Sequence, residues 1–193
     1  MTMIYRFARP SDGPAVLAVY GPYIRNTAVT FEYQVPSPEE FSRRVASIAK
    51  QYPYLVCEED GIILGYAYAS SYRSRAAFQW DVEVSVYLRP EAQGKGIAKG
   101  LYQRLLPMLE ALGYRNVYAS IVPPNPQSIG LHEHFGFEKT ALFEKTGYKL
   151  GQWRDLLWMV LRMNDSDQSP APPRPIGALE NPERFLFPQD HEQ

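Results

Sequence analysis

Cysteine, histidine and charge of one sign are all scarce in this chain. It has one cysteine and three histidines. A lone cysteine excludes an intrachain disulfide and fits a reducing compartment. Cys57 closes the apolar run Tyr54-Leu-Val-Cys57, so it reads as a buried structural thiol rather than a nucleophile. The pair His132-Glu-His134 has a helical spacing that turns the two rings apart, and no protein-bound metal is expected. Lysine plus arginine number 20 against 21 for aspartate plus glutamate, a formal net charge of −1. That balance supplies no field for a phosphate backbone, so nucleic acid is not an expected partner. No apolar run is long enough to span a bilayer, and Met1 to Arg6 lacks the pattern of a signal peptide. A cytoplasmic protein without a membrane partner is expected.

What is present is ordinary globular composition, 45% apolar and 21% charged over 193 residues, enough for one domain with a real core. Ile4 to Arg9 alternates like a strand, and Pro10-Ser-Asp-Gly-Pro14 opens a helix that Gly21-Pro22 should interrupt. Ser37-Pro38-Glu39-Glu40 carries an N-cap serine, a first-turn proline and a capping-box glutamate, which predicts a helix to about Lys50. Strands Tyr54 to Glu59 and Ile62 to Ser70 flank Asp60-Gly61, a hairpin turn. After a loop over 72–79, Trp80 to Leu88 alternates strictly, with Val82, Val84, Val86 and Leu88 on one face and Asp81, Glu83, Ser85 and Tyr87 on the other. A helix from Gly96 to Leu112, kinked at Pro107, follows. Then come strand Asn116 to Val122, helix Gln127 to Phe135, and strands near Lys139 to Lys145 and Arg154 to Arg162. Beyond Met163 prolines recur and no apolar period is sustained. Residues 164–193 are therefore expected to form a mobile tail, with Phe185-Leu186-Phe187 the one cluster able to dock on the domain or on a second subunit.

Gln93-Gly94-Lys95-Gly96-Ile97-Ala98 lies between a strand and a helix start, where unpaired N–H groups and the positive end of the helix dipole face outward. Glycines there remove the side chains that would keep a pyrophosphate from the backbone, and Lys95 adds charge. The spacing matches neither the P-loop nor the dinucleotide fingerprint.

In this order and spacing, Gln93-x-x-Gly96-x-Ala98 after the strand and Asn125-Pro-Gln-Ser128-Ile-Gly-Leu131-His132-Glu-His-Phe135-Gly136-Phe137 on the next helix resemble the GNAT acetyltransferase superfamily. Through Glu83-Val-Ser-Val-Tyr87, Leu131-His132-Glu133 and Gly147-Tyr-Lys149-x-Gly151-x-Trp153-x-Asp155, the chain looks most like its phosphinothricin and methionine sulfoximine N-acetyltransferases. The resemblance covers about 3–163 and implies a mixed α/β fold. Its sheet would be single, largely antiparallel and splayed at its centre, flanked by about four helices, with residues 1–163 as the acetyltransferase domain. It implies acetyl-CoA as co-substrate, a homodimer, and acetylation of an amino-acid analogue by direct attack in a ternary complex. By the same resemblance, Val86, Tyr87 and Leu88 pair with the pantetheine arm, Gly94, Lys95, Gly96, Ile97, Ala98 and Lys99 cradle the pyrophosphate, and Asn125 contacts the cofactor. Arg73, Ser74 and Arg75, with Glu83, Val84 and Ser85, match positions that line the acceptor.

Acetyl transfer to an amine needs a base, an oxyanion donor and a proton for the departing thiolate. Glu83, on the polar face of the strand, is the candidate base, its pKa raised by partial burial. His132, seven residues after Asn125, occupies the place where many of these enzymes carry a tyrosine, and its ring N–H is the candidate donor to the coenzyme A sulfur. Arg73 and Arg75 suit bidentate recognition of a carboxylate or phosphinate. Tyr87, Phe31 and Tyr33 are candidates for an aromatic wall, and a backbone N–H at the end of the strand is the family's oxyanion donor. Alternative readings are an acetyltransferase for peptide N-termini, diamines or aminoglycosides, and a non-catalytic acetyl-CoA-binding module.

Overall fold

The computed structural model describes residues 3–163 and 169–187. Eleven regular elements follow one another: β1 (Ile4–Phe7), α1 (Gly13–Asn26), α2 (Pro38–Ala49), β2 (Tyr54–Glu59), β3 (Ile62–Ser71), β4 (Asp81–Leu88), α3 (Ile97–Ala111), β5 (Asn116–Ile121), α4 (Pro126–His134), β6 (Glu138–Lys149) and β7 (Gln152–Arg162). The strands make one sheet ordered β1-β2-β3-β4-β5-β7-β6. Every pairing is antiparallel except β4 with β5.

Local chemistry accounts for most boundaries. The Ser37 hydroxyl accepts from the Glu40 N–H at 3.1 Å and starts α2. Asp60 and Gly61 both take positive φ, 50° and 77°, and close the β2–β3 hairpin. One proline expectation fails: α1 runs through Pro22 without interruption, and α3 likewise continues past Pro107. Each helix buries side chains on both sides of its proline, Tyr20 and Ile24 around Pro22, Leu106 and Met108 around Pro107. Packing therefore outweighs the one backbone hydrogen bond that proline removes.

The last hairpin is also longer than expected, with β6 running past Lys145 through Gly147 to Lys149 and β7 starting at Gln152. A Cβ on Gly147 would collide with the Phe31 ring, so the glycine makes room for the α1–α2 loop. Lys149 is 2% exposed and donates to the Thr30 carbonyl at 2.5 Å, and the Tyr33 hydroxyl donates to the Tyr148 carbonyl. The hairpin and the α1–α2 loop are thus tied at three neighbouring residues.

The sheet is covered on both faces. Leu55, Val82, Val84, Val117 and Met159 pack with Leu101, Leu105 and Leu109 of α3. Tyr54, Val56 and Tyr66 pack with Val16, Val19 and Ile24 of α1 and with Phe41 and Val45 of α2. Cys57 is fully buried, and burial pushes its thiol up to about 11.

The described part of the C-terminal segment is packed rather than free, a difference from the mobile tail expected. Trp80 Nε1 donates to the Ala171 carbonyl at 2.9 Å, Arg174 N to Leu112 O at 2.9 Å, and Ile176 N to Gln51 O at 3.0 Å. Leu179 and Leu186 join the core under α3, and Arg104 Nε holds the Leu186 carbonyl at 2.9 Å. Within the expected docking cluster Leu186 is buried, whereas Phe187 is 76% exposed. Backbone hydrogen bonds and isolated leucines carry this docking, neither of which leaves a periodic signature. Residues 164–168 and 188–193 of that tail, like Met1 and Thr2, lie outside the described residues.

Candidate active site

The site originates in a defect of the sheet. β4 and β5 pair over only three rungs, Asp81↔Asn116, Val82↔Val117 and Glu83↔Tyr118. Past that point β4 stays with β3 as far as Leu88↔Gly65, and β5 stays with β7 as far as Ile121↔Leu157. The two central strands therefore diverge, and one edge of β4 from Val84 to Leu88 loses its backbone partners.

A cavity of about 570 Å³ fills the opening, lined by Tyr23, Val86, Tyr87, Leu88, the glycine loop, and Asn125, Gln127 and Ser128 of α4 and its cap. It narrows toward the vertex into a space of about 50 Å³ walled by Val84, Ser85, Ala119, Ser120, Tyr102 and His132. Among the described residues, no cluster of three or more histidine, cysteine, aspartate or glutamate side chains could hold a metal.

At the wide end, Gly94 and Gly96 have φ of 74° and 76°, and a Cβ on either would meet no atom within 4 Å. Only glycine adopts this backbone without strain. Gly96 is the N-cap of α3, whose first N–H groups have no intrahelical acceptor. A diphosphate fits such a cradle, with donors, a dipole and Lys99 in the lining. Lys95 is exposed and is not part of the wall. Tyr23 ties the loop to the strand, donating from its hydroxyl to the Leu88 carbonyl at 2.6 Å while Gln93 Nε2 donates to it at 3.1 Å. The Asn125 side chain is partly committed, since its Oδ1 caps α4 by accepting from Ser128 N at 3.2 Å.

At the vertex, the Ser120 hydroxyl donates to Glu83 Oε1 at 2.5 Å. Burial raises the pKa of Glu83, and the Ser120 bond pulls it part of the way back. His132 departs from expectation. It is 3% exposed, its Nδ1 lies 2.7 Å from the Ser128 carbonyl and its Nε2 lies 3.0 Å from the Tyr102 hydroxyl. A carbonyl only accepts, so Nδ1 carries the proton. Burial lowers the ring's pKa and keeps it neutral, which makes Nε2 the acceptor of the Tyr102 proton. No N–H is left over for a cofactor sulfur.

The arginines are not gathered with Glu83. Arg73, Ser74 and Arg75 line a separate cavity of about 200 Å³ with Gln51, Tyr114 and Pro173, sharing no wall with the cleft. The loop that carries them enters β4 at Asp81, the closed end of the splay. Arg73 still reaches the aromatic cluster beside Glu83, stacking 5.0 Å over Tyr72, which lies 4.2 Å from Tyr118. The aromatic wall is likewise divided. Tyr87 sits among Tyr20, Tyr23 and Tyr66, while Phe31 and Tyr33 belong to the contact with the last hairpin.

Sequence reasoning missed Ser120, Tyr102 and Arg154. Asn116, Tyr118 and Ser120 alternate with apolar residues along β5, a signal for a polar face, but only the parallel pairing puts that face beside Glu83. Arg154, opposite Gly147 on β7, shares the face covered by Phe31, and its Nε is buried without a hydrogen-bond partner.

A mixed seven-stranded sheet that parts at its centre over a glycine-capped helix defines an acyltransferase of the GNAT class. The chain matches the Acetyltransferase (GNAT) domain family over residues 6–158 and belongs to it; it is an N-acetyltransferase. It is 35% identical to the phosphinothricin N-acetyltransferase of Streptomyces viridochromogenes, over 89% of this chain and 91% of that one. It is also 35% identical to the L-methionine sulfoximine/L-methionine sulfone acetyltransferase of Salmonella typhimurium, over 84% of this chain and 96% of that one. A crystal structure of a phosphinothricin acetyltransferase from Sinorhizobium meliloti in complex with AcCoA superposes with a TM-score of 0.83 at 38% identity, covering 89% of this chain and 94% of that one.

Proposed function

We propose that this enzyme transfers the acetyl group of acetyl-CoA to the amino group of a small amino-acid analogue of the phosphinothricin and methionine sulfoximine or sulfone type. The observation that carries the proposal is the partly buried Glu83 carboxylate at the vertex of a splayed sheet whose open end is a glycine-lined cleft suited to a pyrophosphate. The named substrates of its relatives support the acceptor class.

Acetyl-CoA would supply an activated thioester: the free amine attacks its carbonyl carbon, the C–S bond breaks, and the coenzyme A thiolate leaves as the thiol with the second proton that the nitrogen sheds. The free edge of β4 at Val86, Tyr87 and Leu88 pairs with the pantetheine arm, and the amides of Gly94 to Lys99 hold the pyrophosphate. An N–H on that edge stabilises charge on the carbonyl oxygen. Glu83 removes one proton from the acceptor's ammonium, directly or through water, and Ser85 and Val84 shape the space beside it. His132 acts through Tyr102, fixing its hydroxyl at the vertex. Arg154, with its unpartnered buried Nε, is a donor for the acceptor's anionic group, and Arg73 reaches the same region through Tyr72.

The domain is read as ending near residue 163, with the segment beyond packed onto it. A cytoplasmic homodimer fits the reading: acetyl-CoA must be at hand, and the last hairpin exposes Leu142, Phe143, Leu150 and Trp153. Sedimentation tests the dimer.

Thiol release from acetyl-CoA is the deciding assay, run with phosphinothricin, methionine sulfoximine, methionine sulfone, common amino acids, a diamine and a peptide. Turnover confined to the amino-acid analogues is expected. Turnover with the peptide or diamine alone overturns the acceptor assignment.

A further inference from the structure

We propose that Ser120 is a positioning residue for the general base: its hydroxyl clasps Glu83 across the mouth of the splay and fixes the carboxylate's orientation. The inference rests on the reading of Glu83 as the base.

The argument begins with register. The last backbone rung between the parallel strands is Glu83↔Tyr118. Ser120 lies two residues past Tyr118 on the same face of β5, where the strands have already begun to part. The 2.5 Å bond from its Oγ to Glu83 Oε1 therefore links the strands by side chains just past the last backbone rung. Because Oε1 is occupied, Oε2 is the oxygen left to take the ammonium proton. Ser120 keeps its own proton throughout; one proton moves from substrate nitrogen to Glu83, and none passes through the serine.

The electrostatic need follows from the surroundings. Tyr68 of β3 and Tyr102 of α3 are the titratable groups that feel Glu83's charge, and burial keeps both neutral in the working range. Asp81, on the same face of β4, is held by Asn116 Nδ2 at 2.8 Å. From the α1–α2 side, Glu32 and Arg44 pair with each other and act on Tyr68, and His132 of α4 is engaged by Tyr102. Trp158, opposite Ser120 on β7, is apolar wall. In such a setting a donated hydrogen bond is what favours the charged carboxylate, and Ser120 provides it.

The test compares wild type with Ser120→Ala, Ser120→Thr and Glu83→Gln. One readout is the pH dependence of kcat/KM for phosphinothricin; the other is carboxyl ¹³C NMR titration, with the Glu83 signal assigned by its loss in Glu83→Gln. Removing a donor that favours the carboxylate raises the pKa. Ser120→Ala should therefore move both the Glu83 titration and the acidic limb of the rate profile upward by about one pH unit, a tenfold change in proton affinity. Ser120→Thr, which keeps a hydroxyl, should restore both, and KM for acetyl-CoA should stay unchanged. A Glu83 signal that titrates as in wild type in Ser120→Ala overturns the proposal, and a uniform loss of rate with a lowered Tm gives the serine a purely structural role. A Glu83 signal that moves in Ser120→Ala, with an acidic limb that stays at its wild-type position both there and in Glu83→Gln, overturns Glu83 as the base and leaves the clasp standing.

Discussion

The two ends of the cleft are built from different materials. The wide end, proposed here for the cofactor, is backbone: a strand edge without a neighbour, two glycines at positive φ and the first amides of α3. The vertex, proposed here for the acceptor, is side chain: Glu83 from β4, Ser120 from β5, Tyr102 from α3 and His132 from α4, tied pairwise by hydrogen bonds of 2.5 Å and 3.0 Å. Backbone recognition depends on main-chain shape, so it tolerates change in everything except the glycines. Side-chain recognition depends on packing, so its parts come from distant stretches of sequence.

This contrast can be broken most severely at the vertex. Glu83→Gln is expected to lower kcat/KM for the acceptor by about 10²- to 10⁴-fold at neutral pH, with partial recovery at alkaline pH as free amine accumulates. KM for acetyl-CoA should hold, and a mutant pH profile identical to wild type removes Glu83 from its role. Next in size is a change away from both ends. Leu186→Ala, beneath α3, should cost about 2 kcal/mol of stability and leave both KM values alone. A Tm equal to wild type would mean that the C-terminal segment does not pack in solution.

At the wide end, Gly96→Ala forces a side-chain-bearing residue to hold φ near 76°. A cost of about 1 kcal/mol, roughly fivefold, should fall on KM for acetyl-CoA, with the acceptor's KM unmoved. The smallest effect is expected at the tie between the last hairpin and the α1–α2 loop. Lys149→Met removes the bond to the Thr30 carbonyl and should raise the acceptor's KM about threefold, an energy near that of one ordinary hydrogen bond. If instead the KM for acetyl-CoA rises, the loop serves the cofactor end and the division between the two materials is drawn in the wrong place.

Legibility in the sequence follows the same division. The loop from Gln93 to Ala98, the hairpin at Asp60-Gly61 and the serine cap of α2 were all readable, because each is a local backbone requirement that few residue types meet. The valine-alternating strand with Glu83 on its polar face was readable for the same reason. Pro22 misled, since local propensity argues for a break that packing across α1 overrides. His132 was located correctly on its helix, yet its chemistry was reversed by a carbonyl four residues back and a tyrosine thirty residues away. Arg73 and Arg75 were readable as a pair of loop cations, but the cavity they line, apart from the cleft, was not, because a loop's exit direction is set by the strand that follows it.

By itself, then, the sequence determined most of the elements and the glycine loop, since these rest on periodicity and on the conformational freedom of glycine, while the mixed sheet was implied by family resemblance. Only the tertiary structure decided which polar side chains meet Glu83. Parallel pairing brings β4 beside β5 across a separation in sequence that no local pattern records, and three rungs later lets them part.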